Sequence, residues 1–148
     1  MLIRLIEMIE NNAESMAEDL KNKLLSDPAT SSYQTLDDKT CYENILEVYS
    51  RLGHWLLRDP EKGEVRTHYS DIGAQRFEEG FPLHEIVQAL VATKRHIWDT
   101  IVEKGIMQTA KELDSAVDFV TYLNRFFDMA IYYTTLGYYG ALNFKSPS

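Results

Sequence analysis

The 148-residue sequence is short of several things at once. It has a single cysteine, Cys41. That excludes an intramolecular disulfide framework and any multi-cysteine zinc or iron–sulfur site, and it fits a cytoplasmic location. Four prolines and seven glycines are too few for a collagen-like or low-complexity chain. Basic residues are in deficit, 15 against 23 acidic, giving a formal net charge of −8. A non-specific nucleic-acid binder is thereby disfavoured, because little is left to neutralise a row of phosphates. A clean apolar run is also missing. The stretch from Phe126 to Leu142 contains Asp128, several tyrosines and two glycines. It falls short of the roughly 20 apolar residues that span a bilayer, so no membrane insertion is expected. At the N-terminus, Arg4 and Glu7 interrupt the apolar residues and no secretory signal is formed.

What remains is an ordinary globular composition, 45% hydrophobic and 26% charged, of a size that suits one domain over residues 1–148. Its periodicity is helical almost throughout. Leu2, Ile6, Ile9, Ala13, Met16, Leu20 and Leu24 step by three or four, forming one amphipathic stripe that ends at Asp27-Pro28. A polar connection follows to Lys39. Thr40-Cys41-Tyr42-Glu43 has the form of a capping box and predicts a second helix, with Cys41, Ile45, Val48, Leu52 and Leu56 inward and Asp59-Pro60 as its stop. A third helix is expected from about Val65 to Glu79, closed by a left-handed Gly80. Pro82 opens a fourth that runs to Lys104, with Gly105 as its cap. Thr109-Ala110-Lys111-Glu112, a further capping box, begins a long last helix reaching about Leu142. No Asn-Gly or Asp-Gly hairpin turn and no sustained alternation supports a strand. The fold class is therefore all-α: a single bundle of about five helices with a long C-terminal helix.

The usual chemistries find little support. No two of His54, His68, His84 and His96 lie three or four residues apart, so no helix offers a histidine pair to a metal. Glu64, His68 and Asp71 could share a face, but the spacing equally describes a solvated helix surface. Helical projection puts His54 and His96 on polar sides and His84 at an edge, which disfavours a buried haem ligand. No cofactor is expected. His84-Glu85-Ile86 is similar to the start of a histidine-kinase phosphoacceptor helix, yet the first turn of any helix tolerates His and favours Glu. Cys41 sits on an apolar stripe, the place of an inert buried thiol. No catalytic residue is expected.

Charged residues on apolar faces stand out instead. Arg76 interrupts the stripe of Val65, Tyr69 and Ile72, and Lys94 projects into the apolar arc of the fourth helix. Asn124 and Asp128 lie on or beside the core face of the last helix. These four residues could meet inside the bundle. A buried cation has to be paired, to reach water along its stem or to meet a ligand. Two readings follow: an ion pair, with Asp128 as first partner of Arg76, or a pocket around Arg76 and Lys94 for an anionic small molecule. The last helix is also apolar on a second side. Phe126, Tyr133 and Tyr139 mark that side as a homodimer or docking surface.

The segment from His68 to Leu90 resembles the N-terminal sensor domain of RsbT co-antagonist proteins of the RsbRD type. The shared pattern is a Gly-x-x-Arg helix, a Gly-x-Pro-Leu turn and an acidic-apolar helix ending near a Trp. Gly73, Arg76, Gly80, Pro82, Leu83, Glu85, Leu90 and Trp98 carry it here. The resemblance implies an all-α input module that acts in signal transduction through protein–protein contacts, without catalytic residues and with a regulatory partner protein. Such modules sit before an output domain, a STAS domain or a kinase. No such domain is read before Asn143-Phe144-Lys145-Ser146-Pro147-Ser148, so either a free-standing family member or a chain cut from a longer protein is expected, and the phosphorylated output residues of the family have no counterpart in the sequence.

Overall fold

A computed structural model describes residues 2–58, 63–104 and 109–145. Among them there are six α-helices and no strand. The helices are α1 (Leu2–Asn11), α2 (Ala13–Ser26), α3 (Asp38–Ser50), α4 (Glu64–Glu78), α5 (Leu83–Glu103) and α6 (Ala110–Lys145). A 3₁₀ segment, Pro28–Thr35, joins α2 to α3, and a π-helical turn, His54–Arg58, follows α3. The all-α reading and the long C-terminal helix are borne out. At 36 residues, α6 is about 54 Å long at the usual rise per residue.

Local chemistry explains most boundaries. The first stripe is continuous in sequence, but the backbone breaks at Asn12, whose side-chain amide donates to the Met8 carbonyl at 2.7 Å. Because Ile9, Ala13 and Met16 are all buried, the break leaves the stripe intact. The Asp27 carboxylate accepts from the Ala29 amide at 2.9 Å and starts the 3₁₀ segment at Pro28. α3 begins at Asp38, two residues ahead of Thr40, so the expected box at Thr40 and Glu43 is not its start. At α6 the side-chain half of the expected box forms: the Thr109 hydroxyl accepts from the Glu112 amide at 3.1 Å and donates to the Glu112 carboxylate at 3.2 Å. Asp59-Pro60 and Gly105 lie outside the described residues.

α6 is the spine. It packs most extensively on α4, and α5, α1 and the π turn also rest against it. α2 covers α3, and the 3₁₀ segment bridges α2 and α5. The aromatic centre consists of Trp55, Tyr69, Phe126 and Phe127. The Trp55 and Tyr69 rings lie 5.7 Å and 5.8 Å from Phe126, and Phe127 lies 4.9 Å from it. No described helix is long and apolar enough to cross a membrane.

Candidate functional site

The sequence pattern from Gly73 to Glu85 folds into the walls of one cavity. Arg76 occupies the last turn of α4 and is 3% exposed. Gly80 follows with φ +84°, as expected of the helix-ending glycine. Its amide donates to the Phe77 carbonyl and the Phe81 amide to that of Arg76, both at 3.0 Å. This reversal turns Phe81 inward beneath Arg76, whose guanidinium carbon is 5.6 Å from the Phe81 ring and 6.0 Å from that of Tyr33. Pro82 keeps an extended conformation and α5 begins at Leu83. Glu85, in the first turn of α5, is buried. Its two oxygens accept from the Ser32 amide at 2.8 Å and the Ser32 hydroxyl at 3.0 Å. One carboxylate thus ties the 3₁₀ segment to α5 and holds Tyr33 edge-on to Phe81, 4.9 Å between ring centres.

The cavity measures about 70 Å³, and its walls come from α2 to α6 and the 3₁₀ segment. Its surface is mainly apolar, with Ile45, Ile86, Ala89, Leu90 and Phe127 among the lining residues. Arg76 is the charged residue in the wall, and its Nη1 meets the Glu79 carboxylate at 2.8 Å. Its Nε is buried without a hydrogen-bond partner. Burial pushes the Tyr33 hydroxyl up to about 12, against the opposing pull of Arg76. The Cys41 thiol is likewise pushed up by burial, so it stays protonated and poorly nucleophilic at neutral pH. His68, at the wall between Trp55 and Tyr69, is held below the ordinary imidazole range by desolvation.

The four polar residues singled out in the sequence do not form one cluster. Arg76 is buried, but its partner is Glu79, one turn on at the same helix end, and not Asp128. Asp128 and Asn124 are exposed. Lys94 is half-buried, in a separate groove between α5 and α6 that it shares with Trp98, Val120, Leu123 and Asn124. Arg76 and Lys94 therefore line different spaces. The interface residues divide as well. Phe126 is fully buried in the aromatic centre and cannot belong to a surface. Tyr133 is half-buried, with the Arg66 guanidinium 5.7 Å from its ring, and Tyr139 is 49% exposed. Glu64 meets His54 at 2.6 Å.

Sequence reasoning missed a second polar cluster. His96 is buried, not polar-facing, because α2 covers that side of α5. Its Nε2 lies 2.8 Å from Asp19 on α2, and its Nδ1 lies 2.8 Å from the Tyr49 hydroxyl on α3. Since a carboxylate can only accept, His96 Nε2 donates to Asp19; in the neutral ring Nδ1 is then the acceptor of the Tyr49 hydroxyl. The hydrogen bond from His96 holds Asp19 below the usual carboxylate range. Tyr49 is raised well above its ordinary value by burial. The role of Glu85 was missed too. The family pattern includes it and its place in a first turn suits the helix dipole, but neither marks a buried tether, and nothing in the polar stretch after Pro28 marks Ser32 as its partner.

Comparison with known proteins adds one match. A family described as the RsbT co-antagonist protein rsbRD N-terminal domain matches residues 32–141, about three quarters of the chain. No curated protein and no solved structure matches it. The matched span includes α3 to α5, most of α6, and every motif residue around Arg76. With that coverage, the chain belongs to the RsbRD N-terminal domain family, a family of regulatory signalling domains.

Proposed function

We infer that the chain is a non-catalytic sensory domain of the cytoplasm that passes its signal by contact with a regulatory protein, and that it pairs with a second copy of itself through α6. Tyr132, Leu136 and Tyr139 support this reading. They are 58%, 47% and 49% exposed and are spaced by four and three residues, which makes one apolar stripe on the outer side of the longest helix. Phe144 adds an 85% exposed ring beyond them. Apolar side chains aligned in this way lose free energy to water unless something covers them. Two such helices packed together could bury about the 1,600 Å² typical of a specific interface.

Sedimentation of the wild type and of a Leu136→Glu, Tyr139→Glu double variant tests the pairing. The wild type should sediment as a dimer at micromolar concentration and the variant as a folded monomer. A wild type that stays monomeric at high micromolar concentration would remove self-association from the proposal. The same stripe would then be assayed against the candidate regulatory partner alone.

A further inference from the structure

We propose that the groove between α5 and α6 is the docking site for an acidic amphipathic helix of the regulatory partner, with Lys94 and Arg95 meeting its carboxylates and Trp98, Val120 and Leu123 its apolar stripe. This rests on the reading that the chain signals by protein contact. It uses a different face from the pairing stripe, since Tyr132, Leu136 and Tyr139 do not line the groove.

Three observations converge. The first is unmet charge. In a chain of net charge −8, Lys21, Lys23, Lys39, Arg51 and Arg76 all have carboxylate partners. Lys94, half-buried in the groove, and Arg95 at its rim have none among the described residues, although Asp99 stands one turn after Arg95. The Trp98 indole N–H in the same groove is also without an acceptor. One end of the groove thus collects donors, and carboxylates on a partner would satisfy them. The second is apolar surface. Val120 and Leu123 line the groove, and the apolar rows run on past it. Val102 is one turn after Trp98 on α5, and Leu113 and Val117 precede Val120 on the same stripe of α6. These three are 47%, 51% and 65% exposed, so nothing among the described residues covers them. The third is length. From Leu113 to Asn124 the row covers about 16 Å of α6. Three turns of an incoming helix match it, with anchors at i, i+3, i+4 and i+7 seated between the two helices. A small amphipathic acid held at Lys94 would leave Leu113 and Val117 bare.

The probe is a labelled helical peptide of about 14 residues, with leucines at those anchor spacings and glutamates beside them. Its counterparts are a twin with lysine for every glutamate, and decanoate. Each is titrated into the whole chain while the Trp98 indole NMR signal is followed. The acidic peptide should bind with a Kd of ~100 µM or below and shift Trp98, and the lysine twin should bind at least tenfold more weakly. Lys94→Glu, Arg95→Glu should reverse that order, and Val117→Asp should weaken the acidic peptide at least fivefold. The Leu136→Glu, Tyr139→Glu variant should bind it as wild type does. No saturable binding of the acidic peptide would overturn the proposal, and a lysine twin that binds as tightly would overturn the charge match. Decanoate binding more tightly than the peptide would make the occupant a small amphipathic acid and overturn the helix. Loss of binding in the Leu136→Glu, Tyr139→Glu variant would move the contact to the pairing stripe. Sedimentation separates the two failures: a wild type that dimerises but ignores the peptide strikes the groove alone. The wild-type comparison of the two peptides decides the charge match even if a variant fails to fold.

Discussion

Gly73 and Gly137 set how closely α4 approaches α6: a Cβ on Gly73 would fall 2.0 Å from the Thr134 carbonyl oxygen, and one on Gly137 would fall 2.0 Å from that of Ser70. The two helices touch backbone to backbone at this crossing, and neither obstacle is a side chain that could swing away. Gly73→Ala and Gly137→Ala should each force the helices apart and cost about 3 kcal/mol or more, the upper range for overpacking. Gly140, three residues on, has nothing within 4 Å of its Cβ position. Gly140→Ala should instead stabilise by up to about 1 kcal/mol, through helix propensity. Urea melts of the three variants check the contrast, and similar values for all three would contradict this crossing.

Arg76→Ala should cost about 3 kcal/mol, because it empties a buried volume and strips a cation from the faces of Tyr33 and Phe81. Arg76→Met, which keeps the stem volume, should cost less. Asp128→Ala and Lys94→Met should fall within about 0.5 kcal/mol of wild type, since one is exposed and the other lies at an open groove. Denaturant midpoints of the four variants make the test, and an Asp128→Ala as damaging as Arg76→Ala would reinstate Asp128 as the partner.

Tyr49→Phe removes the hydroxyl that meets His96 Nδ1 and leaves a buried acceptor unsatisfied. The expected loss is about 1–3 kcal/mol. Asp19 is mostly exposed at its other end, so Asp19→Asn, which can still accept from Nε2, should cost less than about 1 kcal/mol. The ring of His96 can be followed by NMR in both variants. An unchanged His96 resonance in Tyr49→Phe would show that the two residues are not bonded.

Acid should weaken the fold in a window set by His68. Its folded-state pKa lies below the ordinary imidazole value of 6.5, chiefly through desolvation. The neighbouring Glu47, Glu64 and Asp71 oppose that shift and Arg51 adds to it. Below about pH 6.5 the unfolded chain takes up the proton before the folded one does, so stability falls as pH falls through this window and levels off once the folded pKa is passed. Asp19 adds a second decline below about pH 4, because its lowered pKa makes its contribution present at neutral pH and lost on protonation. Replacing His68 with Leu should flatten the upper part of the profile, the decline that begins below about pH 6.5. A variant with the wild-type slope there would assign the effect to another group.

Helical stripes made most of the fold readable in advance. Val65, Tyr69, Ile86, Ile97, Ile101 and Phe127 all lie in the core where periodicity puts them, and Gly80 has the positive φ its position demands. The errors share one origin. A projection of a single helix knows its own faces but not how many neighbours surround it. α5 is covered by α2, α6 and the 3₁₀ segment, so its buried arc is wide enough to take in Glu85, Thr93 and His96. Phe126 failed in the same way: α6 is enclosed there by Trp55 and Tyr69, so an apolar second side meant a central helix and not an outer surface. The burial of Arg76 was legible, but its partner was not, since the choice between Glu79 and Asp128 depends on where the chain turns after α4.

α6 carries Phe127 in the cavity wall, Tyr138, whose hydroxyl donates to the Phe81 carbonyl at 2.7 Å, and Leu136 and Tyr139 on the outside. These residues share one uninterrupted hydrogen-bonded rod. A rod is a lever. With about 54 Å between its ends, a tilt of about 5° about one end carries the other through about 5 Å, close to one full helical turn of about 5.4 Å. Phe127 lies near the middle of the rod, so a tilt that shifts it by about 2 Å carries the far end through about twice that, a step close to the spacing between successive turns and large enough to put a helical contact out of register.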